Sequence, residues 1–284
     1  MKYWLDIKAQ LKSNIEISIQ LLLLLLGIYV MIMSDNERIW KVPLLFVGAF
    51  IWFFYRGKTK HPIALIVFST LLIIDLCYLY FRVANHHFML LFMVLPVIGY
   101  SYHQRIEILS KNMQFLLVIV IMTSVIQKLL SSQFMSGDFY YYMMNRGGMF
   151  SRFINFFPEN LDVIKENKIN IIALNDTNPN DLKTIVLKDI FKNLGFMSLV
   201  FAWVTVIVES IVAISILWKP RSTWVHILFT FMIIGILCTR LETGFMALLA
   251  ICGLILCNNS FLRLVYVLIV LGCITLIVTK IGFH

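Results

Sequence analysis

Lys128 stands at the end of a long apolar run, Phe115 to Ile126, within Ser124-Val125-Ile126-Gln127-Lys128-Leu129-Leu130. Phe134-Met135-Ser136-Gly137-Asp138 and Tyr140-Tyr141-Tyr142 follow it. A lysine in such a place has two chemical readings. Its ammonium can extend along the flexible stem to reach water. Alternatively, it can be held at the edge of a low-dielectric pocket, where burial disfavours the charged form and leaves an amine usable as a general base. Few other ionisable groups interrupt the apolar runs, and one inside a bilayer is costly enough to be a functional candidate by default. Asp75 lies in Leu71-Leu72-Ile73-Ile74-Asp75-Leu76, and Glu209 in Val206-Ile207-Val208-Glu209-Ser210. Asn85, His86 and His87 open another run, and Arg240 and Glu242 sit in a tight connection. Each also has a plain reading: a protonated or interhelical Asp75, a Glu209 ion pair holding helices together, an interfacial histidine pair, and a solvated Arg240–Glu242 turn. The remaining histidines, His61, His103, His226 and His284, fall mostly on the opposite membrane side. The third and fourth ligands that a metal site needs are therefore missing, and no metal is expected.

The elements that must position these residues are helices in a membrane. The 284 residues are 60% hydrophobic and only 14% charged, with a mean hydropathy of +0.87, whereas soluble domains are about a quarter charged. Continuous apolar runs, rather than alternating ones, point to an all-α polytopic membrane bundle and away from a β-barrel. Nine candidate spans are expected, at about 17–33, 42–55, 62–81, 87–102, 114–130, 194–218, 223–240, 243–257 and 261–281. The second and eighth are short for a full crossing. Lys2, Lys8 and Lys12 precede Leu21–Leu26 as in a signal peptide, but the run continues to Met33 without a small-x-small cleavage site, so an uncleaved first helix is expected.

The net charge of +9 raises a nucleic-acid reading. The lysines and arginines instead gather between the apolar runs, where they orient helices, and no nucleic-acid partner is expected. With the N-terminus in the cytoplasm, and leaving aside the long connection 131–193, the inner side carries Lys2, Lys8, Lys12, Arg56, Lys58, Lys60, Arg105, Lys111, Lys219, Arg221 and Arg263, and the outer side Arg38, Lys41, Arg82, Arg240 and Lys280. This sets eleven against five, and the expected location is the cell membrane with a cytoplasmic N-terminus. Cys77, Cys238, Cys252, Cys257 and Cys273 lie in or beside apolar runs, form no C-x-x-C, and read as small apolar side chains.

The chain reads as one membrane domain, 1–284, with 131–193 an outward-facing cap insertion. Phe134 to Phe157 is aromatic and is expected at the interface or over the bundle. Pro158 to Asn193 is polar, and Asn178-Pro179-Asn180-Asp181 is expected to cap a helix running into the sixth span. On this topology His86, Lys128, Arg240 and Glu242 all fall on the outer side, where a bundle can gather them into one pocket.

Asn85-His86-His87-Phe88-Met89 resembles the Asn-His-x-aromatic signature of the vitamin K-dependent gamma-carboxylase membrane domain, which contributes a catalytic histidine. Ser124 to Asp138 resembles that family's lysine segment; there a glycine follows the lysine by eight residues, and here Gly137 follows Lys128 by nine. Glu209 to Arg221 resembles the next helix and basic turn of the broader HTTM family. Its short bacterial members include a membrane protein paired with production of a sporulation-delaying peptide toxin. Cys238-Thr239-Arg240-Leu241-Glu242 departs from the carboxylase, which has a His-Cys-x-Asn-like stretch there. The last expected span lies close to His284, so no counterpart of the carboxylase's substrate-gripping lumenal domain is expected. The resemblance implies Lys128 as base and His86 as the group that orients the reactant or stabilises an oxyanion, with Asn85, His87, Asp75, Glu209, Arg240 and Glu242 in support. It also implies a lipophilic reactant such as vitamin K hydroquinone or another reduced quinone, a small secreted peptide as substrate, and a companion maturation protein. Two other readings stay open. One is a non-catalytic membrane partner or chaperone that uses 134–157 as its contact surface. The other is a transporter built around Asp75 and Glu209.

Overall fold

The computed structural model describes residues 14–33, 38–55, 62–80, 84–150, 158–178, 180 and 184–279. Lys2, Lys8, Lys12, Arg56, Lys58, Lys60, His61, Arg82, Pro179, Asp181, Lys280 and His284 lie outside the described residues, as does the end of the aromatic segment, 151–157.

Every regular element among the described residues is an α-helix. They are α1 (Asn14–Met33), α2 (Arg38–Tyr55), α3 (Ile63–Tyr78), α4 (Asn85–His103), α5 (Ile106–Leu130), α6 (Ser132–Met135), α7 (Asp138–Asn145), α8 (Pro158–Asn175), α9 (Leu194–Trp218), α10 (Thr223–Arg240), α11 (Thr243–Leu256) and α12 (Ser260–Val278). A helix occupies each of the nine expected apolar segments. Five of these, α1, α5, α9, α10 and α12, are long and apolar enough to cross a membrane, while α3 and α11 are shorter apolar helices. The described residues after the Asn178 turn depart from expectation. Residues 184–189 form no helix, and α9 begins only at Leu194. Asn167 explains this locally, because its side chain occupies both the N–H and the C=O of Lys188, at 2.9 Å each, and so holds that backbone open.

The chain divides into two compact units, 1–120 with 213–233 and 242–284, and 121–212 with 234–241. In the first, α11 is the central helix. Nearly all of it is buried, and it packs on α1, α4 and α12. A helix apolar all round belongs in such a position. The α1 and α11 helices run antiparallel: Asn14 Nδ2 donates to the Leu254 and Ile255 carbonyls at 3.0 and 3.1 Å, and Tyr29 meets Gly244 at the other end. The turn from α10 back to α11 places Leu241 at φ 52°, in the left-handed region that a branched side chain rarely adopts.

In the second unit, α6 and α7 fold back onto α9. Phe134, Tyr140, Met144 and Met149 form a core with Val125, Leu194, Ala202 and Val206. Gly137, at φ +85°, makes this approach possible, because a Cβ there would lie 2.7 Å from the Leu199 backbone nitrogen. Only a residue without a side chain fits both that conformation and that gap. Buried Asn145 and Asn167 tie the remainder down. Asn167 Nδ2 donates to the Asn145 carbonyl at 3.1 Å, and Asn145 Oδ1 accepts the Ile190 N–H at 3.3 Å.

Candidate functional site

Lys128 does not extend to water. Its Nζ lies 2.5 Å from both carboxylate oxygens of Glu209 and donates to Ser124 Oγ at 2.8 Å. Ser124 is four residues earlier on α5 and therefore shares the lysine's face, and it also reaches Glu209 at 3.4 Å. The side chains are only 15% and 7% exposed for Lys128 and Glu209. The pair sits deep along α9. At 1.5 Å per residue, Glu209 is roughly 22 Å from the start of the helix and roughly 14 Å from its end. What covers α9 beyond Lys128 is not α5, which ends at Leu130, but the α6–α7 hook, with Tyr140 hydrogen-bonded to Thr205 at 2.8 Å.

Aromatic rings extend the site to a second cation. Lys128 Nζ lies 5.8 Å from the Phe134 ring centre, Phe134 stacks on Phe139 at 5.7 Å, and the Arg240 guanidinium lies 5.3 Å from the Phe139 ring centre. The negative faces of stacked phenyl rings suit cations placed above them. The Phe150 N–H donates to the Thr239 carbonyl at 2.9 Å and ties the hook to the end of α10. Lys128, Glu209 and Arg240 therefore belong to one arrangement in the second unit.

The other candidates lie in the first unit. His87 is buried, and its Nδ1 accepts the Ala84 N–H at 3.0 Å, which satisfies a donor at the start of α4. His86 and His87 both contact the Tyr29 ring, at centroid distances of 5.5 and 5.2 Å. Gly244 completes this cluster. A Cβ there would collide with the Tyr29 hydroxyl and lie 3.8 Å from His86 Cδ2. The buried Tyr29 hydroxyl has no hydrogen-bond partner among the described residues. Asn85 is exposed at the first position of α4, and Glu242 immediately precedes α11. Asp75 is neither isolated nor simply hydrogen-bonded, because it forms a buried ion pair with Lys41.

Sequence reasoning missed Tyr29 and Gly244, noted Gly137 only by its spacing from Lys128, and counted Lys41 only as an outer-side charge. Ser124 had a signal in its four-residue spacing from Lys128. Nothing local to Tyr29 distinguishes it from a lipid-facing tyrosine. Among the described residues, no group of three His, Cys, Asp or Glu side chains is placed to hold a metal ion.

What the Lys128 arrangement can do chemically is hold a proton between two groups. The pair is neutral overall whether the proton resides on the amine or on the carboxylate. The amine can accept a proton from elsewhere only while the shared one resides on Glu209. No family model, curated protein or solved structure matches the chain.

Proposed function

We propose that this is a multi-pass cell-membrane protein that handles a proton at Lys128 during the modification or maturation of a secreted peptide. The observation that carries the reading is the enclosed Lys128–Glu209–Ser124 cluster, on helices apolar enough to cross a bilayer. An ionised pair is an expensive way to hold two such helices together, since apolar residues of similar volume do so as well or better. In this reading all nine apolar helices cross, the N-terminus is cytoplasmic, and 131–193 caps the outer side.

The reactant class is lipophilic, and a reduced quinone such as vitamin K hydroquinone fits the chemistry of the site. The packed Phe134 and Phe139 rings make the surroundings of the amine apolar. Such a reactant supplies a weakly acidic hydroxyl. The part of the chain itself is to hold a proton at Lys128 Nζ, pass it to or from Glu209, and exclude water with the α6–α7 hook. Glu209 neutralises the ammonium once formed, and Ser124 fixes its direction. His86, set against His87 and Tyr29 in the first unit, is proposed as a second functional residue, tested by its own variant. A companion maturation protein is the expected partner.

The test is mass spectrometry of the secreted peptide from cells expressing Lys128→Ala or His86→Ala at wild-type levels. Loss of the modified product in both supports the reading. Wild-type product from either removes that residue from the chemistry, and wild-type product from both leaves the non-catalytic partner role.

A further inference from the structure

We propose that the turn joining α9 to α10 is a docking surface for the phosphate headgroups of anionic lipids. Trp218 and Trp224 flank Lys219-Pro220-Arg221-Ser222, and each is 80% exposed. Indole rings with this exposure at the end of an apolar helix settle at headgroup depth. Lys219 Nζ lies 5.5 Å from the Trp218 ring centre, so the cation and the ring share one position. The turn is built rather than loose. His226 Nε2 bonds the Pro220 carbonyl at 2.8 Å, and the Ser222 N–H donates to the Lys219 carbonyl at 3.1 Å.

The two helix ends at this turn are electrostatically unequal. The negative end of α9 is covered: Ser215 O accepts the Lys219 N–H at 2.8 Å, and the Gln114 side-chain amide donates to the Ile216 and Leu217 carbonyls at 2.9 and 3.0 Å. At the positive end of α10, the first intrahelical bond is from the His226 N–H to Ser222 O, so the N–H groups of Thr223, Trp224 and Val225 precede it. An anion is favoured at such an end, and Lys219 and Arg221 stand beside it. Lys111, one turn from Gln114 on α5, lies instead over the Phe115 ring of its own helix, 5.9 Å from the ring centre, so Lys219 and Arg221 are the cations of the turn.

A lipid fits better than a free phosphate because it brings both phases at once. Its headgroup meets the cations, and its acyl chains meet the indole rings on either side. This surface is independent of the proton chemistry at Lys128.

The experiment uses the full chain in bilayers containing brominated phosphatidylglycerol or brominated phosphatidylcholine. Quenching of tryptophan fluorescence gives the relative association of each lipid. The wild type is expected to prefer phosphatidylglycerol, and the Lys219→Ala/Arg221→Ala protein to lose roughly 5-fold of that preference per charge removed. Lys219→Arg/Arg221→Lys keeps both charges and is expected to keep the preference, which separates the effect from misfolding. In Trp218→Phe/Trp224→Phe the lipid-selective part of the quenching is expected to vanish. An unchanged preference in the alanine double variant overturns the proposal, as does the absence of any preference in the wild type. So does loss of the preference on adding inorganic phosphate but not chloride of equal ionic strength, which assigns the turn to free phosphate.

Discussion

Removing one partner of the Lys128–Glu209 pair leaves the other charge enclosed with little to replace the lost contact. In Lys128→Met, Glu209 retains only the 3.4 Å approach of Ser124 Oγ. Breaking a buried pair from one side costs about 3–5 kcal/mol. Exposures of 15% and 7% leave little room for a solvent discount, unlike a surface pair worth about 0–1 kcal/mol. Insertion scales that place a lone charge at mid-helix at about 2.5–3.5 kcal/mol agree with the lower end. Removing both charges in Lys128→Met/Glu209→Leu is expected to restore stability to within about 1.5 kcal/mol of wild type, because volume is nearly conserved. The assay is reversible unfolding by detergent titration in bicelles, followed by tryptophan fluorescence, on the four proteins of the cycle. A single-variant cost below about 1 kcal/mol refutes the enclosure of the pair. If the double variant folds and also yields normally matured peptide, the pair is structural and the proton-handling role fails. Restored stability without product is the expected result.

Three further outcomes follow from particular contacts. Gly137→Ala forces a Cβ against the Leu199 backbone at a left-handed φ, so it should detach the hook from α9, lower stability by about 1–2 kcal/mol or more, and raise proteolysis near Tyr140. Gly244→Ala must displace the Tyr29 ring and should cost about 1–3 kcal/mol as overpacking, relieved by Tyr29→Phe, whose missing hydroxyl frees the space. The hydrogen bond from the Tyr141 hydroxyl to Asp189, 2.5 Å long, raises the phenol above the ordinary tyrosine range, with burial as a smaller cause. A group whose folded-state value is raised stabilises fully below its unfolded value, about 10, and loses that contribution as pH climbs through the folded value. The segment joined by Tyr141 and Asp189 should therefore loosen above about pH 10, as read by amide exchange at 184–190, and Tyr141→Phe should flatten that dependence.

The helices were legible in the sequence because length and apolarity are properties of one stretch of chain. α9 and α5 read as spans from their residues alone, since a long run with so few charges leaves the backbone only its own carbonyls to bond in an apolar phase. The site was legible only as a set of suspects. Lys128 and Glu209 were both conspicuous as charges amid apolar residues, yet no local pattern joins positions 81 apart. The α6–α7 hook was harder still. α6 is four residues long, and its place depends on Gly137 meeting one point on the α9 backbone.

By itself, then, the sequence determined the class of the molecule, the positions of its apolar helices and the small set of ionisable groups they contain. The tertiary structure decided which of those groups meet. It paired Lys128 with Glu209 and Asp75 with Lys41, set the two histidines against Tyr29, and ran Arg240 into the aromatic stack over Lys128. The reason is physical. Hydropathy acts on each segment separately, whereas a buried charge is satisfied by whichever partner packing brings within reach, and that depends on helices far apart in the chain.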